Sequence, residues 1–472
     1  MSLLAQLWRD RDFLAGLLLV LLMLLSVAGM FAVMPDLTLP AAGLLVLFAW
    51  ISFPHLRRVA RVFLLLCAIV LVLSLLFDPS AWQNIQLGLR RAVSYASFFT
   101  ALTFIREAGL HSDLLRRAGD TIVRQDPGRQ YVILTIGGHL FGMMMNFGSL
   151  GMLGTMIRRS VDGLQPEMRA RMLRHSFIAL LRGFTATGTW SPMALSPLVV
   201  ASILPGVSWE QLMPYGVALA ATLMFAGWLV NRYAEPALGV VEGIAWENQL
   251  AWRPIIGLLA IVSTIFAGIL ILRSTLGTST SEAVIIMLPV VSLLWMLAQC
   301  LRRPSNLLRS YGWRLRQLTA QTLSSLNTEI VVLSTAGFIG GAASGLLPYE
   351  LMGQWLRQVP LAFIALPLMI FWGVIATGYM GVNPLITISI IGTLMAQPEA
   401  FGIEPVFLGL VYLLSWSLTG QLSPFTASNL LLASIAEVRS TEIVHQWNRR
   451  FAVVIMLAGS IAIAIGSTLL HR

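Results

Sequence analysis

Residues 187–203 read TGTWSPMALSPLVVASI, and residues 419–435, 232 positions later, read TGQLSPFTASNLLLASI. Without a gap the two copies agree at Thr187/Thr419, Gly188/Gly420, Ser191/Ser423 and the prolines that follow, then at a second serine, Leu, Ala, Ser and Ile. An internal repeat of this length decides the architecture before any single helix is assigned. Each copy sets Thr-Gly and then Ser-Pro inside an apolar segment. Glycine loosens the backbone there, and proline removes an amide donor and collides with the preceding turn. A spanning helix breaks at such a point, and in lipid a broken backbone survives only when protein buries it or it lines a wet cavity. Paired interruptions in the two halves of a chain point to the binding site of a secondary transporter.

Composition sets the class. The 472 residues are 57% hydrophobic and 11% charged, and apolar runs of about twenty residues recur from end to end. The expected fold is an all-α polytopic membrane protein with about eleven transmembrane helices, two re-entrant hairpins and two inverted five-helix repeats with broken helices. The run after Arg9 and Arg11 is read as the first span rather than a signal peptide, because many spans follow it. Cys67 and Cys300 sit in or beside apolar runs and suggest neither a disulfide framework nor a metal site. The chain has no lysine, so its net charge of +10 is carried by arginine. That charge speaks to topology and gives no reason to expect a nucleic-acid partner.

Spans are expected at 13–33, 38–53, 60–77, 91–105, 210–231, 254–273, 283–300, 328–346 and 451–470, with broken helices at 176–203 and 405–436. Residues 106–129 form a polar, amphipathic segment. Two stretches resist a simple crossing. Residues 131–157, rich in glycine and flanked by arginine, would send several arginines outside if they spanned, and residues 360–397 repeat the pattern. Treated as re-entrant hairpins with tips near Asn146 and Asn383, they leave only Arg90, Arg91, Arg273, Arg357 and Arg472 on the outer side. The positive-inside bias then places the N-terminus in the cytoplasm and the C-terminus in the periplasm of a bacterial-type inner membrane. By sequence the domains are an N-terminal helix (1–37), a first repeat (38–235; hairpin 131–157, broken helix 176–203) and a second (236–472; hairpin 360–397, broken helix 405–436).

In this order of parts the chain resembles the ion transporter superfamily, and within it the divalent anion/sodium symporters, an elevator-type family. Each repeat has a helix with a Phe-Ile pair and glycine (Phe104, Ile105, Gly109; Phe338, Ile339, Gly340), then a hairpin, then a broken helix. The symporters carry Ser-Asn-Thr at both hairpin tips, whereas here Asn146 is followed by Ser149 and Asn383 by Thr387. The resemblance implies a homodimeric carrier with a scaffold part and a moving part that holds hairpins and broken helices. It also implies sodium between each tip and its neighbouring break, and solute between the tips. Carried over by position, the solute would meet Asn146, Ser149, Thr187, Arg182, Asn383, Thr387 and Thr419. The cation would meet Asn146, Gly188, Ser191, Asn383, Gly420 and Ser423.

Chemistry read from the residues agrees with sodium ions and needs no other cofactor. A broken helix offers amides at one end and carbonyls at the other, and threonine and serine add oxygens for a small hard cation. Asparagine can both donate to and accept from an oxyanion. The apolar parts of hairpins and broken helices hold no Asp or Glu, so a carboxylate proton relay is not expected. His139 is either a hydrogen-bonded histidine packing beside glycine or a group with a proton or substrate role. Arg182, the only formal charge within the first broken helix, either faces an anionic solute or snorkels to the interface. Met143, Met144 and Met145 read as packing, Ser428 and Asn429 as bonds to a neighbouring helix, and Trp209 and Tyr412 as interface anchors. The expected partners are a small anionic solute, the lipid bilayer and a second copy of the chain. An enzyme acting on lipid-linked substrates would want a partnered acid or base near one interface, and none is evident. A proton-coupled antiporter or exporter on the same scaffold is the rival reading.

Overall fold

The computed structural model describes residues 3–31, 36–234, 251–301, 306–346, 351, 354, 361–395 and 397–470. The boundary expected between repeats near 235, and Arg302, Arg303, Arg357 and Arg472 of the charge bias, lie outside them.

The protein is an all-α polytopic membrane protein, and among the described residues ten helices are long and apolar enough to cross a bilayer. The first half contains α1 (Leu3–Ala28), α2 (Thr38–Ser52), α3 (Arg58–Phe77), α4 (Ala81–Leu110), α5 (Asp113–Val123), α6 (Pro127–Met145), α7 (Phe147–Ser160), α8 (Pro166–Ala186), α9 (Leu195–Ile203) and α10 (Trp209–Ala234). The second contains α11 (Trp252–Leu276), α12 (Thr280–Cys300), α13 (Leu307–Gln317), α14 (Asn327–Ala342), α15 (Ala362–Tyr379), α16 (Pro384–Leu394), α17 (Pro405–Leu422), α18 (Ala427–Ala436) and α19 (Arg449–Leu469).

Nine of the ten candidate crossings coincide with expected spans, counting the second broken helix, and the tenth is α15, a limb of the second hairpin. The expected span at 91–105 is missing from the ten. It lies within α4, whose length of 30 residues includes Arg90, Arg91, Arg106 and Glu107 and whose residues 92–109 are mostly buried by protein rather than turned to lipid. A helix covered on all sides needs no lipid-facing apolar surface, so hydropathy understates it. The first broken helix is missing for a related reason, since Arg182 and the polar break lie inside it. The polar segment expected from residue 106 starts later, at Ser112, whose hydroxyl caps α5 by accepting from Leu115 N at 3.3 Å. The span expected from 328 is the last part of a longer element. Helix α13 runs through a π-helical turn, Leu318–Leu323, and a 3-10 turn, Ser324–Leu326, into α14.

The chain forms two compact units, each of which takes helices from both sequence repeats. The first comprises residues 1–111, 263–348 and 392–394. Its centre is α4 against α14, where Ile85, Ala92, Phe338 and Ala342 make a core lined by Leu45, Cys67 and Val70. Gly88 and Gly341 face each other at this crossing, and a Cβ on Gly88 would lie 2.7 Å from Phe338 O. Small residues of this kind let backbones touch where lipid offers no hydrophobic drive. The second unit comprises residues 112–262, 349–391 and 395–472. It contains α5 to α10 and α17 to α19, and with α15 and most of α16 it holds both hairpins and both broken helices.

Candidate functional site

The break between α8 and α9 follows from its residues. Helix α8 tightens into a 3-10 turn at Thr187–Thr189. Ser191 N still donates to Thr187 O at 3.0 Å, but Pro192 has no N–H to continue the ladder. Ser191 Oγ then accepts from Met193 N at 3.3 Å, and Ser196 Oγ donates to Gly188 O at 2.5 Å, closing the loop. The break between α17 and α18 is built from the matching atoms. Ser423 N donates to Thr419 O at 3.1 Å, Phe425 N to Ser423 Oγ at 3.2 Å, and Ser428 Oγ to Gly420 O at 2.8 Å. Every residue in the second set lies 232 positions after its counterpart in the first.

Each hairpin tip packs on its own break. Asn146 is the single residue between α6 and α7, and its φ of 49° with ψ of −132° is a rarely occupied backbone region for a residue other than glycine. Its carbonyl accepts from both Ser149 N (3.0 Å) and Ser149 Oγ (2.7 Å). Four residues earlier Gly142 lies so close to the break that a Cβ there would meet Phe184 and Thr187 side chains at 3.1 Å. At the other tip Gly381 takes the left-handed conformation (φ 91°), and Asn383 Oδ1 caps α16 by accepting from Leu385 N at 3.0 Å. The hydroxyls of Thr377 and Thr387 bond across this hairpin at 2.9 Å. Gly378 is pressed against the Thr419 side chain, and its carbonyl accepts from Ser423 Oγ at 2.7 Å.

The two broken helices touch where the repeat maps one onto the other. Ser417 Oγ donates to Thr185 O at 2.9 Å, and these residues are themselves 232 apart. Gly420 faces Thr185 Cγ2 at 3.1 Å from its ideal Cβ position. The structure thus joins Ser149 to Asn146, the first hairpin to Thr187, and the second to Thr419 and Ser423. Among the described residues no hydrogen bond links Asn146 to Asn383. Thr185 and Ser417 extend the repeated stretch upstream, and aligning two further residues would have found them. Gly142 and Gly378 had no signal beyond being glycines in a glycine-rich hairpin.

The hydroxyl protons are largely committed. Thr187 Oγ1 donates to Phe184 O (2.7 Å), Thr419 Oγ1 to Ser415 O (2.8 Å), and Ser149 and Ser423 donate to carbonyls as above. What these oxygens still offer is lone pairs, which suit a cation. Among the described residues Gly188 O accepts one hydroxyl, whereas Gly420 O is also approached by Thr426 Oγ1 and Asn429 Nδ2, each at 3.3 Å. Among the described residues no group of three or more His, Cys, Asp or Glu could hold a metal ion.

Arg182 is 3% exposed and does not snorkel. Nη1 donates to Tyr131 Oη (2.7 Å) and Gly227 O (3.0 Å), Nη2 to Asn448 Oδ1 (2.9 Å), and the Phe451 ring covers the guanidinium 4.3 Å away. His139 joins the first hairpin to the break: Trp190 Nε1 donates to Nε2 at 3.1 Å, and Nδ1 lies 3.1 Å from Gly183 O. Indole nitrogen can only donate, so Nε2 accepts and Nδ1 carries the proton toward Gly183. Both nitrogens are satisfied in the neutral ring. Trp209 and Tyr412 are buried rather than at an interface: Trp209 Nε1 donates to Trp190 O at 2.7 Å, and Tyr412 is 0% exposed. Ser428 and Asn429 hold their own helix's break and not a neighbouring helix. Met143, Met144 and Met145 are packed in the core. An open cavity of about 650 Å³ is lined by Glu437, Arg439, Glu442 and His445, and His445 bonds Tyr379 at the end of α15.

No family model matches the chain, and no curated protein matches it in sequence. Its fold is that of solved transporters. The Alcanivorax borkumensis YdaH transporter superposes over 88% of this chain and 100% of its own with a TM-score of 0.59 at 12% identity. Neisseria gonorrhoeae MtrF, described with a class of antimetabolite efflux pumps, covers 87% of this chain and 95% of its own with a TM-score of 0.55 at 14% identity. At such identities the likeness concerns the fold.

Proposed function

We propose that the protein is a secondary active transporter that moves a small anionic solute across the inner membrane, coupled to sodium, by an elevator mechanism. The observation that carries this reading is the duplicated break: the same backbone hydrogen bonds, 232 residues apart, each covered by its own hairpin within one compact unit. An enzyme has no use for two such copies running in opposite senses, whereas alternating access around a fixed site does. The unit that holds hairpins and breaks is the moving part, and the unit centred on α4 and α14 is the scaffold, presented by a homodimer. Sodium is held by Gly188 O with oxygens of Thr187, Ser191 and Asn146 at the first break, and by Gly420, Ser423 and Asn383 at the second. The solute lies between the tips, against Asn146, Ser149, Thr187, Asn383, Thr387 and Thr419, in the field of Arg182.

The rival direction, export, is favoured by the likeness to the efflux class of MtrF. Proton coupling through His139 is disfavoured by its satisfied neutral state. The test is uptake or release of candidate organic and inorganic anions by proteoliposomes under imposed sodium or proton gradients. Sodium-stimulated, saturable flux is expected. Flux that follows the proton gradient alone would replace the coupling ion, and conductance at single-channel rates would replace the carrier.

A further inference from the structure

The internal repeat supplies a control for every residue near the breaks, and it isolates one place where the second copy does not mirror the first. Gly227 packs on Arg182 Cδ and Tyr131 Oη, 2.9 and 3.0 Å from its ideal Cβ. Its counterpart 232 residues later, Gly459, packs on Leu414 Cδ2 and Phe371 Cζ at 3.6 and 3.2 Å. Leu414 is the counterpart of Arg182. The same helix crossing is therefore made once with leucine and phenylalanine and once with arginine and tyrosine, so packing does not require the charge.

Among the described residues no carboxylate forms an ion pair with Arg182. A buried guanidinium with only neutral partners bears a desolvation cost that a matching anion offsets. Among the described residues its Nε–H has no partner. Asn448, which accepts from Nη2, donates through Nδ2 to Gln421 O at 3.4 Å, and Asn429 Nδ2 donates to the same carbonyl at 3.3 Å. Gln421 is 0% exposed, and among the described residues neither its Oε1 nor its Nε2 has a partner; Asn429 Oδ1 is likewise unpaired there. Repeat symmetry sharpens this second departure. The counterparts of Gln421 and Asn448 are Thr189 and Gly216, where Thr189 Oγ1 is satisfied by Ala186 O and Gly216 O, both at 2.9 Å. Native proteins seldom leave buried polar groups unpaired, and here the unpaired Gln421 amide belongs to the residue whose carbonyl is tied through Asn448 to the guanidinium.

We infer that Arg182, with the amides of Gln421 and Asn448, forms a buried binding site for a compact monoanion, a halide or a carboxylate group. Arg182 Nε donates to it and the unpaired Gln421 amide completes its shell, while Tyr131 and Phe451 hold the guanidinium in place. A carboxylate brought by the carried solute would rest on the transport reading above; a resident halide would not. Binding is measured on purified full-length protein in detergent and needs no transport, so its failure and the failure of transport are separable.

The experiment follows the melting temperature at constant sodium and ionic strength while a bulky organic sulfonate is exchanged for chloride, bromide, formate or acetate. A saturable rise is expected with at least one class. A rise with halides alone identifies a resident halide, and a rise with carboxylates alone identifies the solute's own group. The double substitution Arg182→Leu with Tyr131→Phe copies the Leu414 and Phe371 arrangement and is expected to fold yet lose the rise. Gln421→Thr, copying Thr189, is expected to weaken the apparent affinity about tenfold. Anomalous scattering from crystals grown in bromide is expected to show a peak within hydrogen-bond reach of Arg182 Nε, and it decides the matter should the double variant fail to fold. Identical melting in every salt, an undiminished rise in the folded double variant, or no bromide peak in a protein that bromide stabilises would each overturn the site.

Discussion

At the first break Gly188 O accepts from one hydroxyl, while at the second Gly420 O is approached by Ser428, Thr426 and Asn429 together. The tips differ in the opposite sense. Asn146 itself adopts a positive φ, whereas at the second hairpin Gly381 absorbs that conformation and Asn383 is left as an ordinary helix cap. One backbone plan thus carries a carbonyl with one hydroxyl donor beside a strained asparagine in one half, and a carbonyl shared among three donors beside a relaxed asparagine in the other. The difference teaches that the internal repeat fixes where oxygens can gather, and that the residues around each break decide how many lone pairs are left for a ligand.

The largest test of this contrast is Gly183→Ala. A Cβ there would strike Thr135 O, a backbone atom that cannot rotate away. The first hairpin should lose about 3 kcal/mol or more of detergent stability. Ser415→Ala, at the matching position, removes only a hydroxyl bonded to Val411 O, with an expected cost of about 1 kcal/mol. Equal losses in thermal denaturation would mean that the two hairpins are held alike.

Next in size are Ser196→Ala and Ser428→Ala, read as sodium dependence of flux. Among the described residues Ser196 is the only donor on Gly188 O and it orients the loop, so its loss should shift half-saturation by about tenfold. Ser428 shares Gly420 O with two other groups, and its loss should shift it far less. A reversed order would move the main cation to the second break.

Asn146→Gly should relieve backbone strain and raise stability by about 1 kcal/mol, while raising the solute KM. Asn383→Gly replaces an N-cap and should cost only a few tenths of a kcal/mol, roughly. A destabilised Asn146→Gly would show that the asparagine side chain holds the tip more than its φ strains it. The smallest expected effect is that of His139→Gln, which should leave the pH profile of flux unchanged because the ring is neutral and fully bonded. A displaced profile would restore the proton-coupled reading.

The turns at Asn146 and Asn383 were legible because glycine and proline interrupt the helical ladder there. The breaks were legible because proline removes a ladder donor wherever it stands. Helix α4 was only partly legible, since burial by protein on all sides permits arginines that a lipid-facing helix would exclude. Trp209, Tyr412 and Asn429 were misread for the same reason. Each has a polar group whose meaning depends on the neighbour it meets, and Trp190 O and Ser423 O are neighbours only after folding. Arg182 had two sequence readings, and its enclosure by Tyr131, Gly227, Asn448 and Phe451 comes from helices distant in the chain.

By itself the sequence determined the membrane class, the repeat and the places where helices break, because these depend on local backbone chemistry and on solvation of each segment. Only the tertiary structure decided which tip lies on which break, that Thr185 meets Ser417, and that one half carries a buried cation where the other carries leucine. Those depend on contacts between segments hundreds of residues apart, and the period of a hydrophobic pattern carries no information about such partners.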